Sequence, residues 1–135
     1  MIDTELGDFF QMFPGLVDII GTRTYPGGHL PQRKGTITTT LPALTFHDVS
    51  DVSHYSQPQQ VEHYRVVRYQ VDSWAESLED ARRLAELVRE VLDGYNGPMG
   101  PRTIGFVERQ GRPSMYEPTI ALWHVPADYI IHIMS

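Results

Sequence analysis

Six histidines are the first side chains to test for chemistry, because a neutral imidazole binds metals and titrates near neutrality. His47 and His54 stand seven apart, His54 and His63 nine apart, and His124 and His132 fall in or beside a stretch that alternates like a strand. None shows the i,i+4 helical spacing or the HExxH form that turns two imidazoles onto one ion. A histidine in an alternating strand reads as half-buried or solvent-facing rather than as a ligand. No GxSxG elbow and no recognisable Ser/His/Asp arrangement supplies a nucleophile. Gly27-Gly28 is not a phosphate cradle, since the chain has neither a GxGxxG nor a GxxxxGK pattern. Asp72 beside Trp74 is a candidate acid–base group, but at a strand end before a helix it reads as a solvated cap. No catalytic, metal-binding or cofactor-binding residue is expected.

The elements that would position such groups are clearer. Tyr64 to Trp74 reads as a strand with two phases. Arg65, Val67, Tyr69, Val71 and Ser73 point one way; Tyr64, Val66, Arg68, Gln70, Asp72 and Trp74 point the other. The first phase is apolar at its centre and the second polar, so one face is expected to be packed and the other wet or contacted by a partner. A helix over Leu78 to Leu92 follows directly. Its stripe of Ala81, Leu84, Ala85, Val88, Val91 and Leu92 predicts packing against Val67, Tyr69 and Val71. Ser77 is placed to cap this helix in a capping-box arrangement with Asp80. Glu79–Arg83 and Arg82–Glu86 are spaced for i,i+4 pairs. Gly94 ends the helix, and Asn96-Gly97-Pro98 prevents its resumption.

Upstream, Ile2, Leu6, Phe9, Phe10, Phe13, Val17 and Ile20 recur at intervals of three and four, one apolar helical face. Asp3 or Thr4 is expected to cap it. Pro14 lacks an N–H and crowds the preceding turn, which predicts a break near Phe13 and a second short helix ended by Gly21. From Thr22 to Pro42 periodicity is lost in a long connection that carries Arg23, Arg33 and Lys34. Leu41 to Val49 alternates as a strand, Asp51 to Gln60 reads as turn-rich, and Pro58 stops pairing there. Further strands are expected at Thr103 to Glu108, Met115 to Val125 and Asp128 to Met134, with a hairpin connection around Gly111. Both phases of the last strand are apolar, which predicts a central position or cover by a neighbouring subunit. The fold class is α+β: an N-terminal helix and an antiparallel sheet of about four to five strands, with one long amphipathic helix packed on one face.

With 135 residues the chain fits a single domain spanning 1–135, large enough to fold without disulfides or metal. The absence of cysteine excludes disulfide frameworks, thiolate catalysis and cysteine zinc sites, and is compatible with a reducing cytosol. A net charge of −6 argues against a general nucleic-acid binder. No apolar run approaches the ~20 residues of a membrane span, and no membrane partner is expected.

Several stretches carry a family resemblance. In chain order they are Phe13-Pro14-Gly15-Leu16, Gly21-Thr22-Arg23-Thr24-Tyr25-Pro26, Leu41-Pro42-Ala43-Leu44-Thr45-Phe46, Gln70-Val71-Asp72-Ser73-Trp74-Ala75 and Asp128-Tyr129. This ordered set resembles the tail-completion, or tail-to-head joining, proteins of phages with long non-contractile tails, and is distantly similar to tail terminators of the lambda type. The resemblance implies a non-catalytic virion protein, made in the host cytoplasm, that assembles as a ring, typically a hexamer. The ring would cap the tail tube, end its polymerisation and meet the head connector. Its partners would be further copies of itself, the major tail tube protein and the connector (stopper) protein. DNA would pass through the lumen without specific binding, which an acidic chain favours because it repels phosphates. Assembly contacts are then expected at Arg68, Gln70 and Asp72, at Tyr25, His29, Arg33 and Lys34 in the long connection, and at Ile130 and His132 in the last strand. The alternative is a small α+β enzyme or ligand-binding domain with His47, His63 or Asp72 in a pocket between sheet and helix; a generic dimeric interaction domain is a third reading.

Overall fold

A computed structural model of the chain describes residues 2–56 and 61–134, with backbone only at 54–56 and 61–63. The N-terminal helical run splits as Pro14 dictates, into α1 (Asp3–Phe10) and α2 (Pro14–Ile20). Phe13 is extended before Pro14, and Gly21 closes α2 at φ 54°. The start of α1 differs from expectation. No side chain caps it. Asp3 is turned toward the sheet instead, where its Oδ1 accepts the Tyr69 hydroxyl proton at 2.6 Å while the Ile2 N–H donates to the same hydroxyl at 3.1 Å. Burial and the Asp3 carboxylate both push the Tyr69 hydroxyl above its ordinary pKa, so it stays a donor.

The long connection is partly built. It holds β1 (Thr24–Pro26) and a small hairpin of β2 (Gln32–Arg33) and β3 (Thr36–Ile37). Then come β4 (Ala43–Ser56), β5 (Val61–Ala75), α3 (Leu78–Leu92), β6 (Gly97–Met99), β7 (Arg102–Gly111), β8 (Met115–Glu117) and β9 (Leu122–Ile133). Asp51–Ser56 therefore continues a strand rather than turning, and Pro58 lies outside the described residues. Among the described residues the main sheet has seven strands in the order β1-β4-β5-β9-β7-β6, with β8 also on β9. It is larger than the four to five strands expected, and mixed rather than antiparallel, because β1 runs parallel to β4. The added strands β1 and β6 have three residues each, too few for an alternation to register, and the strand expected over Met115 to Val125 divides into β8 and the start of β9.

The last strand is central, as its two apolar phases require, but it starts at Leu122 instead of Asp128. No hairpin forms at Gly111. β7 and β8 both pair with the β9 edge opposite β5, one beyond the other, and the turn into β9 lies at 118–121, where Ala121 takes φ 54°. Pro113 cannot donate to a ladder, which explains the interruption between β7 and β8.

Helices cover one face of this sheet. Leu84, Val88 and Leu92 meet Val67, Tyr69 and Val71 as the stripe predicts, with Val91 half-buried at the margin, and Leu6, Phe9 and Phe10 complete the main core. Ser77 caps α3, its Oγ accepting from the Asp80 N–H at 3.2 Å. Arg83 meets Glu79 at 3.2 Å, whereas Arg82 turns to Ser114 and Glu86 pairs with Arg89. The opposite face is not uniformly wet. At the end of β5 the long connection folds over it, and Leu30, Ala43, Trp74 and Leu122 form a second apolar cluster with Tyr25, Ile37, Leu41 and Ile120 at its margin.

Candidate assembly face

Strand parity places the helix-free face. Register sets Thr45 opposite Asp72, His47 opposite Gln70 and, across β5, Asp72 opposite Pro126, Gln70 opposite Asp128 and Arg68 opposite Ile130. Arg68, Gln70, Asp72, Ile130 and His132 thus share one face, as the two-phase reading of β5 requires. Arg68, Gln70 and Asp72, expected to face water or a partner, each also have an intramolecular partner.

Asp128 is the centre of the first group. Only 2% of it is exposed, yet it carries charge because two guanidiniums converge on Oδ2, Arg68 at 2.9 Å and Arg112 at 2.7 Å. Burial alone would raise the Asp128 pKa; the two arginines outweigh it and hold the carboxyl below its usual range. Arg68 also donates to Gln110 Oε1 at 3.0 Å. Asp128 Oδ1 is buried with no partner.

The second group surrounds His124, which is buried rather than solvent-facing. Its ring stacks on Trp74 at 4.3 Å and 11°. Nδ1 lies 3.4 Å from Asp72 Oδ2, an ion-pair distance without hydrogen-bond alignment, and Nε2 lies 3.0 Å from Glu117 Oε1. Gln70 donates to Asp72 Oδ1 at 2.9 Å, and Trp74 Nε1–H donates to Thr45 Oγ1 at 2.9 Å. Asp72 is thus a buried acceptor at 6% exposure, not a solvated cap. Among the described residues no group of three His, Cys, Asp or Glu side chains is arranged to hold a metal ion.

Asp72 is the main cause of a His124 pKa above the usual histidine value; burial pulls the other way, and Glu117 adds to the rise. The sign follows. A raised folded-state pKa stabilises the fold fully below the unfolded value near 6.5, and that stabilisation is lost as pH rises through the folded value. His124→Gln is therefore expected to flatten the part of the stability-versus-pH curve that declines just above about pH 6.5. Urea denaturation across pH 5.5–8.5 checks this; an unchanged slope in the variant would show that His124 does not carry the linkage.

At the far end of the same face His132 Nε2 lies 3.3 Å from Glu108, and both line a groove of about 510 Å³ with Tyr64, Gly105, Phe106 and Met134. The remaining residues singled out in sequence sit elsewhere. Tyr25 is half-buried in the second cluster, its hydroxyl bonded to Thr39 Oγ1, while His29, Arg33 and Lys34 are exposed on the connection and its hairpin. Sequence reasoning missed Asp128, Arg112, Glu117 and the burial of His124. The usable signal was Trp74, a large aromatic in a polar phase that needed cover.

The pocket imagined between sheet and helix is not there. That space is filled by Leu84, Val88 and Leu92 against β5 and β9, whereas His47 and Asp72 project from the other face. The His63 side chain lies outside the described residues.

No protein-family model and no curated protein matches this sequence. The fold does have a solved counterpart. A chain in the structure of the virion of a native gene transfer agent (GTA) particle superposes with a TM-score of 0.70 at 9% identity, covering 99% of this chain and 95% of that one. The likeness shows a shared fold over nearly the whole of both chains.

Proposed function

We propose that this chain is a non-catalytic structural protein of a phage-like particle. In this reading it caps the tail tube as an oligomeric, hexameric ring, ends tail polymerisation and joins the tail to the head connector. The observation that carries the proposal is the end-to-end fold likeness to a chain of a gene transfer agent virion. The ordered motifs from Phe13-Pro14 to Asp128-Tyr129 support the finer assignment to the tail terminus. The proposed partners are further copies of the chain, the tail tube protein and the connector protein, with DNA passing through the lumen unbound. The net charge of −6 supports that last point. The proposed location is the tail or neck of the particle. No described helix is long and apolar enough to cross a membrane.

The proposed contacts are the face around Arg68, Gln70, Asp72, Ile130 and His132, and the exposed connection carrying His29, Arg33 and Lys34 beside Tyr25. Deleting the gene is the test. The expected particles have tails of abnormal length or tails unjoined to heads in electron micrographs, restored by the gene in trans. Normal virions from the deletion would overturn the assignment.

A further inference from the structure

The charges of this chain are segregated. Residues 1–20 hold Asp3, Glu5, Asp8 and Asp18 without a base, and residues 21–47 hold Arg23, Arg33 and Lys34 without an acid. Arg23 is committed internally, donating to the Pro42 and Ile19 carbonyls at 3.0 and 2.8 Å. Arg33 and Lys34 are exposed at the tip of the β2–β3 hairpin and make no ion pair among the described residues. The tip is a two-residue loop with Lys34 at φ 53° and Gly35 at φ 79°, the left-handed pair that a tight hairpin demands. Its base is seated through Ile37 in the apolar cluster around Trp74. The two charges are therefore presented on a fixed projection.

A groove of about 260 Å³ between α1 and β1 is the complement. Asp3, Thr4, Asp8, Gln11, Thr22 and Thr24 line it. Gln11, among the lining residues, has its Nε2 buried without a partner among the described residues. Asp8 and Gln11 lie at the C-terminal end of α1, where the helix dipole favours a cation.

We infer that the hairpin tip of one copy, Arg33-Lys34, docks in the α1–β1 groove of the next. Within one chain the two surfaces belong to different faces: α1 packs on the helix-covered face through Leu6, Phe9 and Phe10, while the hairpin packs on Trp74 on the other face. A contact between two different surfaces of identical chains is heterologous, and it closes into a ring when its rotation permits. The inference rests on the ring reading above and names the surfaces that close it.

Charge reversal tests it. Arg33→Glu with Lys34→Glu makes the tip acidic; Thr4→Lys with Asp8→Lys makes the groove basic. Each variant alone sets like charges together and is expected to associate at least roughly tenfold more weakly than the parent in sedimentation velocity. An equal mixture is expected to regain association, because the acidic tip fits the basic groove and the remaining native tip and groove still match. Circular dichroism melts confirm that each variant is folded. Disulfide trapping adds a direct readout in a chain with no native cysteine. Mixed Lys34→Cys and Asp8→Cys variants are expected to give heterodimers in preference to either homodimer. If both charge variants associate as the parent does, or if mixing fails to restore association, this pairing is overturned while the ring reading stands. A parent that does not associate at any accessible concentration, with mixed cysteine variants that form no heterodimer, overturns both.

Discussion

Phe46→Ala is expected to lower stability by about 3–5 kcal/mol, the usual cost of emptying a sealed aromatic site. Phe46 is 1% exposed on β4, with the Phe10 and Tyr69 rings 6.1 and 6.3 Å away. Its ring tip sits under α1, where a Cβ added at Gly7 would lie 3.6 Å from it. Four elements thus depend on one side chain: β4, β5, α1 and, through the register Pro26 to Phe46, β1. α1 on one side of the ring and Tyr69 of β5 on the other limit collapse into the cavity, which puts the cost near the top of the range. For a chain of this size the loss corresponds to a fall in Tm of roughly 10–20 °C. Phe46→Leu, which keeps most of the volume, should cost about 1–2 kcal/mol. Denaturant titration with an unchanged m-value checks both; a loss below about 1 kcal/mol for the alanine variant would mean the site relaxes as a surface site does.

Trp74→Ala has an effect of similar size but a different distribution. Trp74 joins three things: the His124 stack, the hydrogen bond to Thr45 Oγ1 and the cluster that seats the long connection. Removing it is expected to cost about 3–5 kcal/mol and to unseat the 27–41 segment before the main core yields. Limited proteolysis should then cut within that segment under conditions where the parent resists. Trp74→Phe retains a ring over His124 and loses mainly the hydrogen bond, about 1 kcal/mol. Equal proteolytic resistance in Trp74→Ala and the parent would show that the connection is held from elsewhere.

These two sites also mark how far the sequence could be read. Phe46 and the α3 stripe were legible because period-2 and period-3.6 patterns report burial on one continuous element. Pro14, Ser77 and Gly94 were legible because their local chemistry dictates backbone geometry whatever surrounds them. The second cluster was not. Tyr25, Leu30, Ile37 and Leu41 are irregularly spaced, and only the tertiary fold gathers them around Trp74. The Asp128 and His124 networks escaped for the same reason. Asp128 meets Arg68 and Arg112 from two other segments, and Glu117 reaches His124 across a tight turn. A polar strand phase announces that something faces it, without saying whether that is water, a partner or the chain itself.

The β4 ladder is irregular at Val49. β4 pairs Asp48 with Tyr69 and Ser50 with Arg68, leaving Val49 as an extra residue. Alternation therefore changes phase there: odd-numbered Thr45 and His47 face the helix-free side, and beyond it even-numbered Ser50 and Val52 do. A lineage that lost this one codon would make the ladder regular: Ser50 would follow Asp48 directly, still opposite Arg68, and every side chain upstream and downstream would keep its face. Asp51 would stay on the Arg65 side, and Val52 would stay opposite Val66. Substitutions along this strand are graded in their effects, while Val49 itself can be lost without moving a neighbour to the other face, so change of length here should settle at the bulge.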